Sequence, residues 1–294
     1  MIKISTDDNG IYIDRSFRES TKNVQDFYKN NPFPNYQGKE DRMSLIDHFS
    51  KNTYLQDLIS KIGFGKKIIE VGSGTSQLSN LIALMTNNNV IAFDATYNAL
   101  KLGKDFADKN YIHNIRFVQG DIANINKIFN LNDFDFVICS GVLHHTSEPF
   151  ENFMKITEIL KENGQIIIGL YNKYGRLYSK LLKILYKIFG KKILYFFDDV
   201  LKKQKISKEQ SESWIRDQYI HPLESTHSID EVFKWFKLAN IKTTSTIPDL
   251  TVVSKNIEKK INLIPRIFVQ FFMNFNHLGK DGGLFIVEGI KIRK

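Results

Sequence analysis

Two glycines one residue apart, Gly72 and Gly74, follow the apolar run Lys67 to Val71. Leu78, Leu81, Ile82 and Met85 then recur at helical spacing. A strand, a glycine turn and a helix in that order suit a nucleotide cofactor. Glycine lets a ligand approach the backbone closely. The helix behind it offers unpaired N–H groups and the positive end of its dipole. Glu70 stands near the strand end, and Asp94 closes the next apolar run, Asn89 to Asp94, about 20 residues after Gly74. An acid there accepts hydrogen bonds from ribose hydroxyls. Two cofactors fit this much, a dinucleotide and S-adenosylmethionine. The dinucleotide turn wants a third glycine three residues after Gly74, for close helix–strand packing. Gln77 stands there instead.

The elements that must position these residues read as a parallel sheet. After Asp94, Tyr97 to Ala107 has the pattern of a helix, and Ile115 to Gln119 is a third strand ending at Gly120 and Asp121. Phe134 to Ser140 is a fourth strand, Phe150 to Leu160 a helix, and Gln165 to Tyr171 a fifth strand. Continuous apolar strands separated by helices are the mark of a sheet covered on both faces. In such sheets ligands lie beyond the carboxyl ends of the strands. Glu70, Asp94, Asp121, Ser140 and Tyr171 all stand at those ends.

The bounds are those of a globular protein: 294 residues, 42% hydrophobic and 25% charged. A single cysteine, Cys139, excludes an internal disulfide and suits a reducing cytoplasm. The sequence shows no secretory pattern, no apolar stretch long enough to span a bilayer, no zinc-ligand spacing, no Walker loop and no repeat. No metal is expected. A net charge of +9 is compatible with a lysine-rich solvated surface, with nucleic acid or with an anionic membrane.

Four segments are expected: residues 1–62 as an arm and helix, 63–172 as the cofactor-binding core, 173–227 as a helical cap inserted after the fifth strand, and 228–294 completing the sheet. In the arm, Phe27 to Tyr36 places Phe27, Tyr28, Phe33 and Tyr36 around Pro32 and Pro34. It reads equally as a rigid aromatic lid able to face a sulfonium cation or as an arm packed on the core. Ser44 to Ile62 has the spacing of one amphipathic helix. In the cap, Leu177, Leu181, Leu182, Leu185, Ile188 and Phe189 make an apolar face, and Arg176, Lys180, Lys183 and Lys187 a basic stripe. The preferred reading packs that face on the domain and leaves the lysines in water; the other lays it on an anionic membrane. Lys202 to Ser211 reads as loop. Trp214 to Glu224 is rich in groups that bind a polar substrate. Ser228 and Glu231 form a capping box. Ile241 to Thr246 and Gly282 to Ile290 are the last strands, and residues 248–280 fit no element.

These motifs together resemble the class I S-adenosylmethionine-dependent methyltransferases. The resemblance rests on Glu70-Val71-Gly72-Ser73-Gly74, Asp94, Gly120-Asp121, Ser140 to His145 and the turn Leu160 to Gly164. The arm and the ending Gly169-Leu170-Tyr171-Asn172 resemble a bacterial branch. The family implies a Rossmann-like α/β fold, doubly wound and mostly parallel, with the last strand antiparallel. It implies that Gly72, Ser73 and Gly74 pass close to the methionine moiety, and that Asp94 binds the ribose. It also implies that Asp121 and Ile122 contact the adenine, and that Ser140 and Val142 lie beside the methyl donor. Glu70 belongs to the same cofactor set.

Methyl transfer needs positioning and dryness more than it needs a base. A base matters only where the nucleophile carries a proton. Candidates are His144, His145, Tyr171, Tyr219, His221 and Glu224, with His145, His221 and Tyr171 preferred as catalytic residues. Tyr28, Phe33, Tyr36, Asn172, Arg176, Tyr219 and Glu224 are expected to touch substrate. Three functions remain open: methylation of a small molecule, which is preferred; methylation of RNA or a membrane lipid; and nucleotide binding without catalysis. The expected location is the cytoplasm, the basic helix being the feature that would bring the protein to a membrane surface. Oligomeric state is not legible.

Overall fold

The protein is described by a computed structural model over residues 5–29, 32–33, 41–202, 207–250, 263–273 and 283–293. Contacts divide it into two units. The first holds the chain up to Cys139 together with Phe150–Ile166, and the second holds Ser140–Pro149 and Ile167–Ile292.

The first unit opens with β1 (Ser5–Thr6) and β2 (Tyr12–Ile13). The Asp7 carboxylate accepts the Asn9 and Ile11 N–H groups and so closes the turn between them. Three helices follow: α1 (Glu19–Tyr28), α2 (Arg42–Ser50) and α3 (Thr53–Ile62). The single helix expected over 44–62 is therefore two. Asn52 interrupts it, its side chain accepting the Leu55 N–H as the cap of α3. The Rossmann-like core then alternates: β3 (Lys67–Val71), α4 (Gln77–Met85), β4 (Asn89–Asp94), α5 (Tyr97–Lys109), β5 (Ile115–Gln119), α6 (Ile125–Ile128), β6 (Phe134–Ser140), α7 (Pro149–Ile159) and β7 (Leu160–Tyr171).

β3 lies between β4 and β6, β5 beyond β4, and β2 beyond β5, all parallel; β1 is antiparallel to β2. The central strand is dry, with Ile68 and Ile69 both 0% exposed. That explains its unbroken apolar run. The region expected to turn at 160–164 is already extended, and Asn163 takes a left-handed φ of 60°, a conformation that asparagine tolerates.

The second unit holds α8 (Leu177–Phe189), α9 (Lys192–Phe197), α10 (Asp199–Lys202) and α11 (Lys208–Ile215), then a π-helical turn at Arg216–Ile220. After these come α12 (Ile229–Leu238), β8 (Ile241–Ile247), α13 (Leu263–Phe272) and β9 (Leu284–Lys291). β8 and β9 are antiparallel, Ile241 opposite Lys291 and Ile247 opposite Ile286. The sheet is therefore mixed and mostly parallel, with its last strands antiparallel. Part of the loop expected over 202–211 is helix instead, because Ser207 and Gln210 form a capping box at the start of α11. The cap helices share a small core of Leu182, Leu194, Leu201, Ile215 and Tyr219.

One close approach supports the glycine turn of the first unit. Gly103 on α5 faces the loop after β3, and a Cβ there would stand 2.7 Å from Ser76 Cβ and 2.8 Å from Thr75 O. Ser76 already sits at φ 59°, ψ 33° and has little room to move. Gly103→Ala is expected to lower stability by about 1–3 kcal/mol, the usual cost of overpacking, read as a lower urea midpoint. An unchanged midpoint would show that the loop yields freely.

Candidate active site

In the first unit the turn after β3 is built by backbone geometry. Gly72 and Gly74 take φ of 75° and 52°. The Gly72 and Ser73 N–H groups both donate to Phe93 O, at 2.7 and 3.0 Å. Glu70 does not point out as a ligand group. Its carboxylate accepts the N–H and hydroxyl of Ser79 in the first turn of α4, and so ties strand to helix. Burial pushes its pKa up to about 7 against those two hydrogen bonds, with Asp94 adding to the rise.

Asp94 accepts the Gly74 N–H at 2.8 Å and the Thr96 N–H at 2.7 Å. Burial raises its pKa in spite of these bonds. The Ala95 N–H and the Thr96 side chain bond to it as well, so the Asp94 carboxylate is held in place from several sides at the end of β4. Gly72, Ser73, Gly74 and Asp94 thus fit S-adenosylmethionine: a turn whose glycines put no side chain between backbone and ligand, fastened to an acid at the end of the next strand.

Asp121 is different. It accepts the Arg18 N–H (3.0 Å), the Thr21 hydroxyl (2.7 Å) and the Ala123 N–H (2.9 Å), and pairs with the Arg18 guanidinium at 3.3 Å. Burial works against its charge, but these donors hold it below the usual carboxylate range. Its acceptors bond within the chain, so it anchors another element; Ile122 beside it is buried. The anchor is α1. Arg18, Thr21 and Gln25 share one helical face, and Gln25 Nε2 donates to Ala95 O at 2.7 Å. Nothing in the sequence pairs Arg18 with an acid 103 residues away. Of the arm residues, Tyr28 stacks edge-on with Phe27 at 5.0 Å, Phe33 is half-buried, and Tyr36 lies outside the described residues.

In the second unit, Ser140 packs on Gly169, where a Cβ would come 2.9 Å from the serine Cβ. The Gly141 N–H donates to Gly169 O at 3.0 Å. Val142 begins the short helical turn that carries His144 and His145. Four rings assemble there. His144 stacks on Tyr171 with centroids 3.8 Å apart, and His145 lies 3.8 Å from His221 and 4.2 Å from His144.

Hydrogen bonds set the protons. His145 Nδ1 is 2.8 Å from Leu223 O. A carbonyl only accepts, so Nδ1 carries the proton and Nε2 keeps a lone pair. The Leu223 N–H donates to His221 Nδ1 at 3.1 Å, which puts the His221 proton on Nε2. The Tyr171 N–H likewise donates to His144 Nδ1 at 3.3 Å. Burial lowers the pKa of His145 to about 4, against the Leu223 bond and the Glu224 charge, and of His221 to about 3, and it holds His144 well below its ordinary value. All three are neutral at pH 7.

Arg176 and Glu224 face each other. Arg176 is 1% exposed. Its Nε donates to Glu224 Oε1 at 3.0 Å, its Nη1 to Gln218 Oε1 at 2.8 Å, and its guanidinium carbon lies 3.6 Å from the Tyr171 ring centroid. Arg176 therefore leaves the basic stripe expected on α8, and neither side chain is placed to greet a substrate. The Tyr171 hydroxyl is bonded to Asp217 and Gln218, and burial raises its pKa. That makes Tyr171 a poor proton-transfer group and gives it a positioning role. Tyr219 donates to Asp198 at 2.6 Å within the cap core, away from the expected substrate role. Asn172 accepts the Tyr174 and Gly175 N–H groups and donates to Gln270 Oε1, so it shapes a turn. Cys139 is buried. Among the described residues no cluster suits a metal.

The methyltransferase domain family matches residues 63–243, and the chain belongs to that family. It is 27% identical over 132 residues to the ubiquinone biosynthesis O-methyltransferase of Glaesserella parasuis serovar 5, covering 44% of this chain and 55% of that one. It is 29% identical over 123 residues to the ribosomal protein L11 methyltransferase of Prochlorococcus marinus, covering 41% and 39%. The chain spans about half the length or less of the curated relatives it matches first. The fold matches magnesium protoporphyrin IX methyltransferase from Synechocystis PCC 6803 with bound SAH, at TM-score 0.53 and 13% identity over 93% of this chain and 100% of that one.

Titration of the buried histidines has a sign that can be read out. An unfolded chain protonates them near 6.5, while the folded chain refuses the proton until about 4 or 3. The unfolded state binds more protons in that window, so their contribution to stability rises with pH from 4 to 6.5. Glu70 acts oppositely: raised to about 7 when folded, it adds stability that is lost as pH rises from its ordinary range through 7. The Tm difference between wild type and His221→Gln separates the two. It is expected to move in favour of wild type from pH 4.5 to 6.5 and then level off. A constant difference would mean that His221 is not held neutral.

Proposed function

We propose that the chain transfers a methyl group from S-adenosylmethionine to a small-molecule acceptor. The observation that carries this reading is the glycine turn, with Gly72 and Gly74 at positive φ and the Gly74 N–H bonded to the Asp94 carboxylate. When bound, the cofactor supplies a methyl group on a positively charged sulfur, open to in-line displacement. Gly72, Ser73 and Gly74 would hold its methionine end and Asp94 its ribose. A small acceptor is supported by the likeness to ubiquinone biosynthesis O-methyltransferase and by the fold shared with magnesium protoporphyrin IX methyltransferase.

In the second unit, His145 is neutral at pH 7 and presents an acceptor nitrogen for the proton of a nucleophile as it is lost. Its Nε2 keeps a lone pair because Nδ1–H is committed to Leu223 O. That suits an acceptor whose nucleophile begins as O–H or N–H. His221, with its proton on Nε2, is a neutral donor beside it.

Two measurements test this. Calorimetric titration with S-adenosylhomocysteine is expected to show binding that weakens about tenfold or more in Asp94→Asn, since a charge-assisted hydrogen bond contributes about 1.5–3 kcal/mol. Equal binding would remove Asp94 from the cofactor site. With an acceptor found by screening phenols, amines and thiols, His145→Gln is expected to lower kcat about 10²–10⁴-fold at unchanged cofactor affinity. Unchanged kcat would take His145 out of the chemistry.

A further inference from the structure

Two helices of the second unit present apolar side chains to the outside. On α8, Leu177, Leu181, Ile184 and Ile188 recur at helical spacing and are 46, 51, 56 and 66% exposed. The packed face of that helix is a different one: Leu182 is buried, with Leu185 and Tyr186, in the cap core. So part of the apolar face expected to pack does not. Lys180 and Lys187 lie exposed alongside this stripe, while Lys183 between them is half-buried and pairs with Glu224 at 3.5 Å. Helix α13 is turned inside out. Its polar residues face inward: Arg266 pairs with Asp230 at 2.7 Å, and Gln270 Oε1 accepts from Asn172 Nδ2 and the Ile229 N–H. Its apolar residues Ile264, Phe268 and Phe272 face outward, 68, 59 and 54% exposed. Met273, at the end of α13, lies against Gly175, just before α8 begins.

A water-facing helix has no reason to bury arginine and glutamine and expose phenylalanine. Among the described residues no helix is long and apolar enough to cross a membrane, so lying on a surface is the mode left to these helices in a bilayer. Charge decides the occupant. A second copy of the same face would set one lysine row against another. RNA would meet the lysines but gain nothing from leucine and isoleucine. An anionic bilayer satisfies both rows, taking aliphatic and aromatic side chains below its headgroups and lysines among them. We propose that the outward faces of α8 and α13 dock on an anionic lipid bilayer. This stands apart from the catalytic reading and is tested without turnover.

The test is sedimentation of the full chain with vesicles of phosphatidylcholine alone, or with about one third phosphatidylglycerol. Wild type is expected to pellet with the anionic vesicles and to be released by salt. Ile184→Glu combined with Phe268→Glu is expected to lower the bound fraction about tenfold or more. Lys180→Ala with Lys187→Ala should weaken binding about fivefold per lysine. Urea midpoints should stay at the wild-type value, because the substituted side chains are exposed. Wild type left in the supernatant with anionic vesicles would overturn the proposal. So would a dimer that Ile184→Glu with Phe268→Glu dissociates, or RNA binding in place of vesicle binding.

Discussion

Arg176 cannot lose its charge and cannot reach water. A guanidinium in that position must be fully paired, or the second unit carries an uncompensated buried ion at a cost of several kcal/mol. Much of the unit's local order follows from meeting that demand. Glu224 and Gln218 answer it from the segment after α11, and the ring of Tyr171 lies beneath it. Glu224 draws Leu223 into place, and Leu223 sets both His145 and His221. The backbone of His227 bonds on either side of Asn172, to Tyr171 and Lys173, and holds the same segment along the end of β7.

The core was legible because its signals are local. Continuous apolar strands, the Gly72-Ser73-Gly74 turn and Asp94 each declare themselves within a few residues. What escaped was set by distant partners. Arg176 shares the spacing of Lys180, Lys183 and Lys187 and differs from them only because Glu224 and Gln218 lie beside it. Asp121 looks like any acid at a strand end until Arg18 and Thr21 bond to it. One asparagine, Asn52, divides a helix that hydrophobic spacing alone would run through. Helix α13 escaped for another reason: the usual rule of apolar side inward is reversed in it.

The two units are ordered by different means. The first unit forms its turn from backbone geometry and two acids, Glu70 tying β3 to α4 and Asp94 bonded to the turn itself. The second unit places neutral rings in a dry setting, where small changes in hydrogen bonding have large effects. Burial keeps His145 uncharged, so its lone pair is present across the neutral range, at the expense of some basicity.

Leu223 spends both halves of its backbone on imidazoles, the carbonyl on one ring and the amide on the other. Neither ring can switch tautomer without giving up its bond to that residue. The pair therefore has a defined polarity, a lone pair on one edge and an N–H on the other, written into the main chain where no side-chain substitution at position 223 can erase it. Proline is the exception, since it lacks the amide hydrogen and would free the second ring while leaving the first in place.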